Sequence, residues 1–228
     1  MIEEASACDF SLEHYDFILK KALQEGYSIQ SLEQYFDRPL DPVLLLRHDV
    51  DVSIQYAGRM AEIEHRAGVR STIFIRVHAA EYNPFSRQNY QCLRWLTDEG
   101  FEIGLHHEVG VFPLPGSTPR EQLQRELTVL TAVLERKVRA ATVHLPKHVR
   151  YTLDPSEFAD LGIEYEGGAA LFNEGGVFMS DSNRLKKPEC LCRMLGKAPK
   201  ILSTTHPVWW NRVDEDVDRM RSFLLGGN

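Results

Sequence analysis

At 228 residues, 43% of them hydrophobic and 26% charged, the chain has the size and composition of a single soluble globular domain, with no room for extended disorder away from its ends. Its net charge of −7 argues against a general affinity for nucleic-acid phosphates or anionic membranes, and the basic stretches, Arg184-Leu185-Lys186-Lys187 and Lys197 to Lys200, read as solvated surface. No stretch approaches the roughly 20 apolar residues that span a bilayer, and the acidic start Met1-Ile2-Glu3-Glu4 lacks the apolar centre of a signal peptide, so a cytoplasmic protein is expected.

Ser11 caps a helix predicted over Ser11 to Glu25, with Leu12, Tyr15, Phe17-Ile18 and Ala22-Leu23 at helical spacing and Gly26 as its stop. A short helix over Ser31 to Phe36 follows, and Pro39 and Pro42 reset the chain before the first strand, Val43-Leu44-Leu45-Leu46. Ser53 is placed to cap the next helix, whose apolar positions Ile54, Ala57, Met60-Ala61, Ile63 and Ala67 lead to Gly68. Ser71 to Val77, β-branched and aromatic, is a second strand; the loop with Tyr82, Pro84 and Phe85, a place for a lid, precedes a helix through Leu93 and Trp95-Leu96 to Gly100. Phe101 to Leu105 is the third strand, Thr118-Pro119 opens a long helix carrying Leu123, Leu127, Leu130, Val133 and Leu134, and Ala140 to Val143 is the fourth strand. A short helix from Pro155 ends near Leu161-Gly162, strands follow at Ile163 to Tyr165, Val177 to Met179 and Lys200 to Thr205, and Arg212 to Leu225 is a closing amphipathic helix.

Alternating strands and helices imply parallel pairing with right-handed crossovers. About seven strands suggest a distorted α/β barrel, with an open doubly wound sheet as the alternative. No linker divides the chain, so residues 1–228 are expected to form one domain, a helical segment over 1–42 preceding a core over about 43–210. No Gly-x-Gly-x-x-Gly or Walker loop follows the first strand, which removes support for nucleotide binding.

Several strand ends carry chemistry. The first runs into Arg47-His48-Asp49-Val50-Asp51, the third into His106, the fourth into His144 and the seventh into His206. Parallel strands end side by side, so these side chains converge where barrel enzymes keep their active sites. Two like charges at one strand end are costly unless a cation or a shared proton relieves them, which points to a metal site or an acid/base site. Divalent cations take carboxylate oxygen and zinc-like ions also take imidazole, so Asp51 and His106 form a two-ligand core; His107, Glu108, His144 and Asp181 compete for third place. His48 points away from Asp49 in a regular strand and reads as structural or as a brace. His14, His65 and His78 read as surface, and His148 as a loop histidine. The cysteines, Cys8, Cys92, Cys190 and Cys192, form no Cys-x-x-Cys pair; Cys190-Leu191-Cys192 could bind a soft metal, but without zinc-motif spacing reduced thiols are expected.

Arg47 to Asp51, Gly100-Phe101-Glu102-Ile103-Gly104-Leu105-His106, His144-Leu145-Pro146 and Thr205-His206-Pro207, in that order, make the chain resemble the polysaccharide deacetylases, the NodB-homology carbohydrate esterases, from about Val43 to Trp210. The resemblance implies a distorted barrel of parallel strands, a bound divalent ion such as zinc, and hydrolysis of an N-acyl amide on an amino sugar or small sugar precursor in surface polysaccharide metabolism. Carried over, Asp49 corresponds to the general base, Asp51 to the metal aspartate, His106 to the first metal histidine and His206 to the histidine that protonates the leaving amine. Two positions depart from the family pattern: Gly110 stands where the second metal histidine falls, and His144 replaces the arginine that steadies the catalytic aspartate. His144 is expected as third ligand ahead of Glu108, because its strand ends beside that of His106 whereas Glu108 must turn back from a loop. Asp181 is expected to keep His206 charged, and Glu108, Asp181, Trp209 and Trp210 to touch substrate or brace residues that do, the indole faces suiting a sugar ring. The alternatives are a binding module that keeps the fold without catalysis, or a hydrolase of another linear or cyclic amide.

Overall fold

In a computed structural model, the structure describes residues 8–111, 114–144, 154–167, 175–183 and 190–210. The closing helix predicted over Arg212 to Leu225, the basic stretch at Arg184 to Lys187, and His148 lie outside the described residues.

The helices begin where the sequence supplies acceptors for their unpaired N–H groups. Ser11 Oγ accepts from His14 N (3.1 Å) at the head of α1, Leu12–Gln24. Capping boxes start α2 (Leu32–Asp37), with Ser31 and Gln34, and later α5 (Pro119–Leu134), with Thr118 and Glu121, and α6 (Pro155–Asp160), with Asp154 and Glu157. Helix α3, Ile54–Arg66, does start after Ser53, but the Ser53 side chain makes no capping bond, contrary to the expectation. Helix α4 spans Arg87–Asp98.

Every strand pairing among the described residues is parallel. Strands β2 (Val43–Val50), β3 (Thr72–Ile75), β4 (Glu102–His107), β5 (Ala140–Val143), β6 (Tyr165–Glu166), β7 (Val177–Ser180) and β8 (Lys200–Thr205) are the seven predicted. Strand β1, Ser28–Gln30, which pairs with β2 from Ser28 opposite Val43, is an addition: the segment before residue 43 is not purely helical, and three residues are too few to show a period-2 pattern. The sheet order β6-β5-β4-β3-β2-β8-β7 is a circle opened between β6 and β7, with each strand beside its sequence neighbour and β8 returning to β2. That is the order of a distorted barrel and differs from a doubly wound sheet, whose strand order reverses at a switch point.

Side chains alternate between the two faces of this curled sheet. Val43 and Leu45 of β2, Phe74 of β3, Ala140 of β5 and Leu202 of β8 point inward, where Leu32 and Tyr35 of α2 join them. Leu44 and Leu46 of β2 and Ile201 of β8 point outward against α1, while Ile73, Ile75, Ile103 and Leu105 pack on α3, α4 and α5. Continued by twos, the inward register places Arg47, Asp49 and Asp51 on one line, His106 above Gly104, His144 above Ala140 and Thr142, and His206 above Leu202 and Thr204. Gly104 has a packing reason: a Cβ there would come 2.5 Å from Phe74 Cε1, and the Phe74 ring carries the Arg47 guanidinium at 5.2 Å from its centroid.

The outward register buries His48 completely, with Nε2 2.6 Å from Glu64 Oε1 and Nδ1 2.5 Å from Thr205 Oγ1, while the Tyr15 hydroxyl donates to Glu64 Oε1 at 2.6 Å. His48 is therefore structural, as its position in the strand predicts. A second buried carboxylate, Glu126 of α5, is 1% exposed and accepts from Gln122 Nε2 at 3.0 Å; burial pushes its pKa up to about 7. A raised carboxyl favours the fold below its unfolded pKa and loses that contribution as pH rises through about 7. Glu126→Gln should therefore gain about 1–3 kcal/mol relative to wild type at pH 8 and flatten the decline in stability between mildly acid and alkaline pH. Thermal melts across that range test it, and parallel curves for the two proteins would count against Glu126 as the source. Among the described residues, no helix is long and apolar enough to cross a membrane.

Candidate active site

The strand ends meet as the alternation requires. Asp51 Oδ1 lies 3.5 Å from His106 Nε2 and 3.5 Å from His144 Nε2, and the three donor atoms all fall within 4.8 Å of one another. Ligand bonds of about 2.0–2.2 Å around a tetrahedral ion set donor atoms roughly 3.3–3.6 Å apart. The spacing is that of a three-ligand cradle with an open position. Asp51 Oδ1 is buried without a hydrogen-bond partner among the described residues, an arrangement that is costly unless a cation meets it. His106 Nδ1–H donates to the Thr142 carbonyl (3.2 Å), so in the neutral ring the lone pair sits on Nε2, facing Asp51. Burial pushes the Asp51 carboxyl up, but His106, His206 and His144 outweigh it and hold the group well below the usual carboxylate range.

The other candidates for the third position face elsewhere. His107 follows His106 on the strand and so points outward, against Phe158 at 5.7 Å between centroids; burial holds its pKa down at about 3 and neither ring nitrogen is hydrogen-bonded within the described residues. Glu108 turns to Arg76, whose Nε and Nη2 donate to Oε1 at 2.9 and 2.6 Å. The same oxygen lies 3.2 Å from His144 Nδ1, within ion-pair distance but off hydrogen-bond geometry, so Glu108 stands behind His144 instead of beside Asp51. Asp181 belongs to His206. Gly110 has φ +82°, in the left-handed region.

Asp49 is buried beside this cradle, with Oδ2 3.8 Å from His106 Nε2. Arg47 Nη2 donates to Oδ2 at 2.8 Å, while Arg47 Nη1 donates to Thr142 Oγ1 (3.2 Å) and to the Gly167 carbonyl. Burial raises the Asp49 carboxyl, but Arg47, then His106 and His206, more than offset it, and the group stays below its ordinary value. Asp49 is thus braced by an arginine from within the first motif. Arg-x-Asp in a strand places both side chains on one face, and that spacing was a signal for it.

His206 Nε2 reaches to 3.8 Å from Asp51 Oδ2 on the other side. Its Nδ1 lies 2.5 Å from Asp181 Oδ1, and its backbone N–H donates to Asp181 Oδ2 at 2.9 Å. Burial pulls the His206 pKa down, but Asp181 and then Asp51 and Asp49 overcome it and lift it to about 9. Of the two roles expected for Trp210, substrate contact or brace, its contacts match the brace. It is 2% exposed, its Nε1 donates to Asp181 Oδ2 at 2.9 Å, and Trp209 is buried in the same outer core against α1. Both indoles seal the core because the short 3-10 turn Pro207–Trp209 bends them back under the site, leaving no indole face for a ligand.

Arg76, just past β3, was not singled out by sequence. It is buried, donates from Nη1 to the Asp51 carbonyl at 2.9 Å, and pairs with Glu108 and with Glu81 at 3.3 Å. Tyr82, in the proposed lid loop, is structural: its hydroxyl donates to the Val50 carbonyl and accepts from Arg76 N, both at 2.8 Å. Phe85 in that loop is 54% exposed.

No protein-family model matches the sequence, and no curated protein matches it. Solved structures do match in fold. BA3943, a CE4 family pseudoenzyme from Bacillus anthracis, aligns with a TM-score of 0.54 at 18% identity over 83% of this chain and 62% of that one. A BA3943 mutant with restored enzymatic activity also matches, at 0.54. The deacetylase PplD of Streptococcus pyogenes, in complex with acetate, aligns at 0.52 and 16% identity over 67% of this chain and 70% of that one. The chitin deacetylase of the fungus Colletotrichum lindemuthianum aligns at 0.53 and 14% identity over 89% of this chain and 87% of that one. The chain therefore has the fold of the CE4 polysaccharide deacetylases, and it spans less than two thirds of the length of BA3943.

Proposed function

We propose that this chain is a metal-dependent amide hydrolase that removes an acyl group from an amino sugar, a small N-acylated precursor or oligomer made for a surface polysaccharide. The observation that carries the reading is the convergence of Asp51, His106 and His144, with Asp51 Oδ1 3.5 Å from each Nε2, beside Asp49, whose carboxyl is held below its ordinary value, and His206, whose pKa is lifted to about 9. Two imidazoles and one carboxylate favour zinc over the oxygen-seeking magnesium and calcium. A divalent ion in that cradle supplies a polarised acyl carbonyl and a more acidic water.

The chain's own residues do the proton work. Asp49 accepts the proton of the attacking water, with Arg47 fixing Oδ2 and keeping the carboxylate ionised. Oδ1, buried and without a hydrogen-bond partner among the described residues, is the oxygen left to receive that proton. His206 delivers its Nε2 proton to the departing nitrogen, and Asp181 holds the imidazolium and its orientation. The fold shared with deacetylases, one of them a chitin deacetylase and another in complex with acetate, supports this reaction class.

A second reading rests on Gly110 and on the likeness to a CE4 pseudoenzyme: a sugar-binding module without catalysis. Metal content and hydrolysis of N-acetylated amino-sugar monomers and oligomers, compared among wild type, His144→Ala and Glu108→Ala, separate the two. His144→Ala should lose the ion, and Glu108→Ala should keep it with activity down about 10–100-fold. Full metal occupancy in His144→Ala would remove the third ligand from the scheme, and a metal-loaded wild type inert on every such substrate would favour the binding module.

A further inference from the structure

A second cluster of metal-ligating atoms lies on the outer side of the sheet, against α1. His14 is not at the surface as its sequence context predicts; it is 6% exposed, with Nε2 3.2 Å from Cys190 Sγ. Cys8 Sγ and Cys192 Sγ stand 3.3 Å apart beside them, and all four donor atoms fall within 4.8 Å of one another. Bond lengths of about 2.3 Å to sulfur and 2.0–2.1 Å to nitrogen give a tetrahedral zinc site donor–donor edges of roughly 3.3–3.8 Å. For three sulfurs and one nitrogen the edges are roughly 3.5–3.8 Å; the edges at 3.2 and 3.3 Å are shorter than that and the rest are bounded by 4.8 Å, so an ion requires the side chains to open by some tenths of an ångström.

We infer that Cys8, His14, Cys190 and Cys192 form a structural zinc site, separate from the proposed catalytic cradle. Four protein donors with no open position are the mark of a structural site. Its halves are a Cys-x5-His at the head of α1 and a Cys-x-Cys at the 3-10 turn Leu191–Arg193, joined across a sequence separation of 176 residues between His14 and Cys190. No linear zinc motif spans such a gap, which is why the spacing gave no sign of it. Clamping a loop this long restricts the unfolded chain, so the ion contributes folding stability. The site also backs the proton donor. The His14 ring stacks on Trp210 with centroids 6.3 Å apart and planes 5° from parallel, and Trp210 donates to the Asp181 that holds His206.

The test uses the full chain. Asp51→Ala, which empties the cradle, should retain about one equivalent of zinc by mass spectrometry of the metal, and adding Cys192→Ser to it should remove that equivalent. Wild type reloaded with cobalt should show thiolate-to-metal charge-transfer absorption that Asp51→Ala keeps and Cys8→Ser loses, a signature an Asp/His/His site cannot produce. Cys92→Ser, outside the cluster, should change neither. In the Asp51→Ala background, Cys192→Ser should lower the melting temperature by roughly 5–10 °C, and the double variant should show no further drop on chelation. Because the cobalt spectrum is read on wild type, a poorly folding variant does not blunt the test. Zinc absent from Asp51→Ala, no thiolate band in wild type, or a Cys8–Cys192 disulfide in freshly purified protein would each overturn the inference. The catalytic proposal is judged separately, on the metal lost with Asp51.

Discussion

Asp51→Ala should reduce amide hydrolysis by about a thousandfold or more, because a bound divalent ion contributes several kcal/mol to the transition state and about 1.4 kcal/mol is a factor of ten. The side chain is the hub of the site, 3.5 Å from His106 and His144 and 3.8 Å from His206, so no neighbouring carboxylate can take its place without moving a strand end. Asp49 does not substitute, because Arg47 already engages it at 2.8 Å. Asp51→Asn is the companion variant: it keeps the shape and removes the charge, and it should fall nearly as far. Turnover and metal content measured together decide the matter, and an Asp51→Ala protein that hydrolyses at the wild-type rate would end the proposal.

Asp181→Asn should move the alkaline limb of the kcat/KM profile down from near pH 9 toward the ordinary histidine range of about 6.5, with a rate loss of roughly 10–100-fold at pH 8. The direction follows from the partner: a carboxylate 2.5 Å from Nδ1 stabilises the imidazolium, and an amide does not. His206→Ala should cost about 10²–10⁴-fold at all pH values and abolish that limb. A role for Asp181 in folding alone predicts lower stability with an unshifted limb, so a profile superimposable on wild type would contradict its assignment.

Much of this was legible because alternation is a strong constraint. Once Val43 and Leu45 are read as a strand facing inward, Arg47, Asp49 and Asp51 must follow on the same side, and His48 must turn outward to Glu64. The convergence of Asp51, His106 and His144 could be read from strand ends for the same reason. What escaped were contacts between distant segments. Arg76 carries no motif of its own, and its importance comes from ending on the inward register beside Glu108. The strand Ser28–Gln30 was too short for periodicity. Trp209 and Trp210 stayed open between substrate, brace and core because aromatic residues near a proposed site suit a sugar ring and a core equally well, and only the turn after β8 decides between them. His14 and the cysteines escaped because their pairing is set by where α1 packs, which composition does not reveal.

Gly110 has a consequence for how such a site can change over evolutionary time or by engineering. A histidine there would inherit a backbone with φ +82°, which costs an L-residue about 1–2 kcal/mol before any coordination begins. Introducing a loop-borne imidazole there would accordingly need a remodelled loop and not one codon. Position 144, directly after β5 and outside the left-handed region, carries no such toll, and attempts to retune ion preference are better begun there.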